Sequence, residues 1–523
     1  MSFQTPTLPL LRGTSTFETA LEQEENMLLE LAYPELRLDF FVWLKSHRAD
    51  IEDTVSYHLG LTGSEICRLA EVREWIHGSF NVCIPLYVDN WHKHPGRRVI
   101  IRFPLPYKIG ESTYPGNTDE KLRCEAATFI WIRENCSHVP IPHLWGFGFV
   151  GGQSFTGPES VPWKTKLIWY LRRQILSLFR RTVPCRYVRH HRQFLLEHGY
   201  LVMDYVEGTG VKMLSESWDE FRHCEARRTN LFRDLSRIIL SLSQSPLPRI
   251  GSWTLDSNGF LHLSNRPLTL RLQQLENEGI PTKIDRNLTY LATDTYYLDL
   301  LSCHDSRLRH QPNSLNDETD GRGQMANLTI MRALISHFTN REMRHGPFVF
   351  RLTDLHQSNI FVDDDWHIKC LIDLEWACSL PVETMRPPYW LTGCPADDLV
   401  GQHLESFSKA YHDFMDLFED EEKSFPPLNG IAFSRTNIMR KGWKIGNFWY
   451  FQALDSPKGL YNIFRDHIQP IFAPSHITDS DFPRIVSEYW APGVNKIISA
   501  KLQDKEVYER LLRQNFEDAS SSS

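Results

Sequence analysis

Asp354, Asn359 and Asp373 are the side chains in this 523-residue sequence whose types and spacing could do chemistry. They lie in the stretch FVFRLTDLHQSNIFVDDDWHIKCLIDLEW, Phe348 to Trp376, as a carboxylate, then an amide, then a carboxylate closing an apolar run. A loop of the form D-x-x-x-x-N followed by a strand ending in I-D suits phosphoryl transfer to a hydroxyl or amine. Asp354 would accept or orient the acceptor's proton, while the hard oxygens of Asn359 and Asp373 would hold Mg²⁺ against nucleotide phosphates. The plain alternative is a hydrophilic loop and a hairpin whose aspartates only cap turns. The flanking pattern argues against it. Phe348-Val349-Phe350, Ile360-Phe361-Val362 and the alternating Ile368, Cys370 and Ile372 read as strands, with Asp363-Asp364-Asp365 as the turn.

The segments L-T-D-L-H-Q-S-N-I-F-V-D and L-I-D-L-E-W-A resemble the catalytic and metal-binding loops of the aminoglycoside phosphotransferase and choline kinase-like enzymes, in particular the large fungal branch of that family. The resemblance implies an α+β, protein kinase-like fold of two lobes, a strand-rich N-lobe and a mainly helical C-lobe. It implies ATP and Mg²⁺ as cofactors, the base role for Asp354 and the metal roles for Asn359 and Asp373. The family's loop is commonly H-G-D-x-x-x-x-N, and here Leu352 stands at the histidine's place. The hydrogen bond that histidine makes is therefore missing or replaced; His356 either replaces it or only shapes the turn.

Other positions fall in the family's order. His77-Gly78-Ser79-Phe80-Asn81 is a glycine turn before the β-type runs Asn81–Val88 and Arg98–Phe103. Backbone amides at Gly78 and Ser79 could lie over phosphates, or the turn is a simple hairpin corner. Arg102 stands where a kinase-like lobe places its third-strand cation, a fork in place of a point charge. Leu122, Ala126, Phe129, Ile130 and Ile132 predict a helix over Asp119–Cys136. The resemblance pairs its Glu125 with Arg102; a solvated helix face is the alternative. Leu201 to Gly208 resembles the hinge, with Met203 and Tyr205 at the adenine edge, although any buried strand ending at a glycine looks similar.

The insertion at about 151–193 is not required by the common pattern. It holds Lys164, Lys166, Arg172, Arg173, Arg180 and Arg181 with no acidic residue between Glu159 and Glu197. Leu167, Ile168, Leu171, Ile175, Leu178 and Phe179 share one helical face, and the arginines take the other. The expectation is a helix packed on the small lobe with a solvated cationic face. Contact through 163–181 with an anionic membrane, or with an acidic partner, is the alternative.

Composition is that of an ordinary globular chain, at 41% hydrophobic and 23% charged residues. A formal net charge of -8 argues against attraction of the whole protein to nucleic acid or anionic lipid, while local patches can differ. The 10 cysteines occur singly, without C-x-x-C, which suits reduced buried thiols. No apolar run of membrane length and no leader pattern is present, so the expected location is cytoplasmic. The domain reading is a helical extension over 1–75, an N-lobe over 76–206, a helical C-lobe over 207–515 with a mobile loop near His310–Gly323, and a disordered tail over 516–523. Acid-rich Glu419–Glu422 is most simply a solvated turn, although C-terminal acids bind cationic substrates in the family's aminoglycoside enzymes.

Together these features predict an ATP- and Mg²⁺-dependent phosphotransferase acting on a small-molecule hydroxyl or amine. The absence of A-P-E after Asp373, and Leu374-Glu375 in place of F-G, argue against a regulated protein kinase. Arg102, Leu352 and the plain glycine turn keep a second class open, a catalytically inactive nucleotide- or partner-binding module.

Overall fold

The computed structural model describes residues 7–192, 195, 197–428, 434–456, 458–474 and 481–521. Its strand-rich part is built from the alternating segments Asn81–Asp89 and Arg98–Pro104, which pair antiparallel with Val82 opposite Phe103, Ile84 opposite Ile101 and Leu86 opposite Val99. These six apolar side chains are fully buried. The pair sits in an eight-stranded sheet in the order Ile66–Leu69, Asn81–Asp89, Arg98–Pro104, Tyr200–Asp204, Leu144–Gly148, Gln153–Thr156 and Val188–His191, with Ile76–His77 alongside Asn81–Asp89. Ile66–Leu69 lies at the end of the segment read as a helical extension; its alternation is too short to stand out against the preceding helices.

The helix predicted over Asp119–Cys136 forms as Asn117–Asn135, and it is buried nearly all round. That environment excludes the solvated-face alternative for Glu125, which is 1% exposed.

The remainder is mainly helical, with long helices at Glu225–Leu242, Thr293–His310, Glu318–Phe338, Gly401–Glu422 and Val494–Ser521. The mobile loop expected near 310–323 is only the short connection between two of these. Gly321 and Gly323 lie within the second of these helices, where a Cβ would crowd the Leu315 side chain at 3.0 Å and the Tyr461 ring at 2.9 Å respectively. The final helix runs through residues 516–521, where the sequence suggested disorder; residues 522–523, and 193 at the end of the basic insertion, lie outside the described residues. Tyr508, Leu512 and Phe516 on this helix pack with Ala20 and Met27, which closes the C-terminus onto the N-terminal segment.

Between these parts lies the predicted hairpin. Ile360–Val362 pairs with Ile368–Leu371, and Lys212–Met213 joins the outer edge. Asp363 Oδ1 accepts from the N–H groups of Asp365 and His367 and so closes the turn. Trp366, in the left-handed region at φ 63, is held there by stacking on Trp218 at 5.4 Å and by donating to Ser217 Oγ at 3.0 Å. Phe348–Leu352 pairs instead with Ala377–Pro381, so the loop carrying Asp354 and the strand end carrying Asp373 are tied at both ends.

Candidate active site

Asp354 leaves its strand at the edge of the hairpin, and Asn359 closes the loop over it. The Asn359 amide donates to the Asp354 carbonyl at 2.8 Å and reaches its Oδ2 at 3.4 Å. Its own carbonyl accepts from Ile372 N–H at 3.0 Å, which sets Asp373 beside it. With the nitrogen committed to Asp354, the Asn359 side-chain oxygen accepts no bond from the described residues. Asp373 adopts φ 58, a conformation an aspartate tolerates better than most residues but one found mainly where surroundings enforce it.

Leu352 makes no polar contact that could stand in for a histidine. The N–H and Oγ1 of Thr353, one position on, both donate to Trp376 O, at 2.9 and 2.6 Å, and clamp the loop to the segment after Asp373. His356 shapes the turn, its Nδ1 accepting from Ser358 N–H at 3.3 Å.

The expected cation–glutamate pair is present and belongs to a larger cluster. Arg102 Nη1 lies 2.5 Å from Glu125 Oε1, while Nη2 reaches Asp373 Oδ1 at 2.7 Å and Glu375 Oε1 at 2.9 Å. Lys121, 0% exposed, donates to Asn81 Oδ1 at 2.7 Å and sits 3.2 Å from Glu375. Asn81 in turn donates to Glu375 Oε1 at 2.9 Å. The part that Glu375, Lys121 and Asn81 play in this cluster escaped the sequence reading. The signals were there, for Lys121 precedes Glu125 by one helical turn and Glu375 replaces a glycine, but neither position has a familiar spacing.

Gly78 and Ser79 form the turn entering Asn81–Asp89. Gly78 N–H donates to Asn81 O at 2.9 Å, and Phe80 packs against Trp376 with ring centroids 5.8 Å apart, so the turn is fastened to the carboxylate cluster. Met203 is buried within the sheet, opposite Ile100. Tyr205 N–H is taken by Arg98 O at 3.3 Å, and the Arg98 guanidinium lies 4.0 Å over its ring. No described contact joins either residue to the carboxylate cluster.

Two cations, Arg102 and Lys121, face the buried carboxylates of Glu125 and Glu375 and the partly exposed one of Asp373, with Asp354 nearby as a fourth. The imbalance appears in their titration. Against the cost of burial, Arg102, Lys121 and Asn81 hold Glu375 down at about 2. Burial, and then the charge of Glu375, push Glu125 up to about 7 despite Arg102. Burial likewise raises Asp373. Burial, then Glu375 and Asp373, lift Asp354 to about 7. Surplus negative charge in a poorly solvated recess is what a divalent cation would relieve. The donor set fits: an amide oxygen on Asn359 and a half-exposed carboxylate on Asp373 are hard ligands. Among the described residues no group of three or more His, Cys, Asp or Glu is placed to hold a metal. Two protein ligands would suffice for Mg²⁺, which takes its remaining ligands from water and phosphates.

Asp354 also lines a cavity of about 180 Å³ with Arg271, Arg351, Arg386, Tyr389 and Trp390. A substrate held there would meet the carboxylate directly.

No family model matches the chain, and no curated protein matches it. Among solved structures the chain is similar to a macrolide 2'-phosphotransferase type I, at 12% identity and a TM-score of 0.32, over 85% of this chain and 97% of that one.

Proposed function

We propose that this chain is a phosphotransferase of kinase-like, two-lobed architecture that moves the γ-phosphoryl group of ATP to a hydroxyl or amine of a small molecule. One chain of contacts carries the reading: the Asn359 side chain bonds Asp354, its backbone carbonyl accepts from Ile372 N–H next to Asp373, and Asp373 Oδ1 pairs with the Arg102 that also holds buried Glu125. Asn359 and Asp373 would hold Mg²⁺, which supplies charge neutralisation at the phosphate oxygens. Arg102, fixed by Glu125 and Glu375, would present its guanidinium edge to the phosphates, and the Gly78-Ser79 turn would cover them. The strand end at Met203–Tyr205 would meet the adenine. The acceptor oxygen or nitrogen would attack the γ-phosphorus as the bond to the bridging oxygen breaks. ADP leaves, and Asp354 takes the acceptor's proton. A carboxylate titrating near neutrality is suited to that task, since it is ionised at working pH yet basic enough to accept.

The cavity beside Asp354 bears on the acceptor. Arg386 is neutralised by Asp455 at 2.5 Å. Arg351 donates to Thr384 O and Oγ1 at 2.8 and 2.6 Å and has no carboxylate within ion-pair distance among the described residues. The acids of 419–422 are engaged elsewhere: Glu419 with Arg440, Asp420 with Lys423, Glu421 with Arg237, and Glu422 with Arg435. A half-buried guanidinium with no carboxylate at ion-pair distance favours an acceptor that carries a carboxylate or phosphate, and disfavours a polycation.

A second reading rests on one contact. Arg102 occupies Asp373 Oδ1, which would weaken a metal ligand and favour a nucleotide-binding module without turnover. ADP release over a panel of small hydroxy and amino compounds separates the two. Turnover abolished by Asp354→Ala supports the transferase, whereas nucleotide binding with no turnover on any acceptor supports the module.

A further inference from the structure

The basic helix forms as Trp163–Leu178, but its apolar stripe does not face the protein. No residue of this helix is buried. Trp163 is 70% exposed, Ile168 68%, Ile175 54% and Leu178 80%, and Phe179 just beyond is 69% exposed. Leu167, Tyr170 and Leu171 are exposed on the same arc. The side turned toward the protein is instead Trp169, Arg173 and Leu176, each only half-buried. Arg173 donates to Pro184 O, and its guanidinium lies 5.0 Å over the Trp169 ring. Beneath them is an open groove of about 680 Å³ reaching Ile130 and Glu134. The expected packing on the small lobe is therefore reversed: the narrow side holds on and the wide apolar side looks out.

A contiguous apolar arc of this length is costly in water, because a soluble chain rarely leaves so many large side chains together in solvent. At 1.5 Å per residue the helix is roughly 24 Å long, lying along the surface and not across anything. No described helix is long and apolar enough to cross a membrane. On a wheel of 100° per residue, Lys164 falls within the apolar arc, Arg172 at one border and Lys166 beyond the other. Arg180 and Arg181 follow the helix, and no acid intervenes between Glu159 and Glu197, in a chain whose net charge is -8.

We infer that Trp163–Phe179 is an in-plane anchor that docks this protein on the surface of an anionic lipid bilayer. The charge pattern selects that occupant. A second copy would bring the same cations against one another. A zwitterionic surface would leave them without counter-charge. An anionic interface accepts the apolar arc among its acyl chains and pairs the flanking Lys and Arg with headgroups, and Trp163 and Tyr170 suit the boundary.

The test uses the full chain and sedimentation with vesicles of phosphatidylcholine, with or without about 30 mol% phosphatidylserine. The wild type is expected to sediment with the anionic vesicles and at least about tenfold less with the neutral ones, with added salt releasing it. Leu171→Asp with Ile175→Asp, and separately Lys164→Glu with Arg172→Glu, are each expected to abolish binding. Because all four side chains are exposed, the thermal midpoint of either variant should stay within a few degrees of wild type. Failure of the wild type to bind anionic vesicles at low salt overturns the inference, and so does binding that either double variant retains. Concentration-dependent self-association in the ultracentrifuge that Leu171→Asp removes would also overturn it, and would assign the face to a second copy.

Discussion

Arg102 Nη2 and Asp373 Oδ1 lie 2.7 Å apart, so the strand Arg98–Pro104 is joined directly to the end of the hairpin. The same guanidinium serves Glu125 and Glu375, both essentially out of solvent. Arg102→Met would leave two buried carboxylates short of their main counter-charge, and loss of one partner of a buried pair costs about 3–5 kcal/mol. Arg102→Lys offers a point charge where a fork spans three groups, and the expected loss is smaller, about 1–2 kcal/mol. Urea denaturation at neutral pH checks both; equal stability of Arg102→Met and wild type would rule out the cluster as drawn.

Asp354→Asn should remove turnover yet stabilise the chain. The folded-state value of Asp354 is raised to about 7, so at pH values between its unfolded value, about 4, and 7 the folded chain holds a proton that the unfolded chain has released. Stability is then lost as pH rises through that window. Asparagine carries no such penalty, and after allowance for partial exposure the variant should be more stable by on the order of 2 kcal/mol at about pH 8, with the difference vanishing near pH 4. Denaturation curves of the two proteins at both pH values decide this, and a less stable variant at the higher pH would contradict it.

The same carboxylate sets a kinetic prediction. A general base must be ionised, so kcat/KM for turnover should rise with pH and level off above about 7. Glu375 is the charge that acts most on Asp354, and Glu375→Gln should shift the acid limb to lower pH. An acid limb below pH 5 in the wild type would exclude Asp354, at this titration value, as the base.

Arg351→Met addresses the acceptor. Loss of a charge-assisted contact to an anionic group should raise KM for a carboxylated or phosphorylated acceptor by roughly 10–100-fold, with kcat little changed and neutral acceptors unaffected. Equal effects on charged and neutral acceptors would point to a packing role for Arg351.

Legibility in the sequence followed the range of the interactions. The hairpin, its turn and the paired strands at Asn81 and Arg98 are short-range patterns, and they stood out. Arg102 and Glu125 were readable because their order along the chain could be compared with a known arrangement. Lys121, Asn81 and Glu375 were not, since each owes its place to contacts made across the chain, up to 294 residues apart for Asn81 and Glu375. Thr353 shows the same limit: its two hydrogen bonds to Trp376 O span 23 residues, and no spacing rule announces them. For Trp163–Leu178 the periodicity located an apolar stripe but carried no information on which side the protein would use.

The central claim is that Asn359 and Asp373 form a divalent-cation site that works on a bound nucleotide. Calorimetric titration of ATP into the wild type and Asp373→Asn, in Mg²⁺ and then in excess chelator, tests it most directly. The account predicts that Mg²⁺ tightens ATP binding to the wild type at least about tenfold, roughly 1.4 kcal/mol, and that Asp373→Asn loses this gain. Equal affinity with and without Mg²⁺, or a gain that survives in Asp373→Asn, would contradict it.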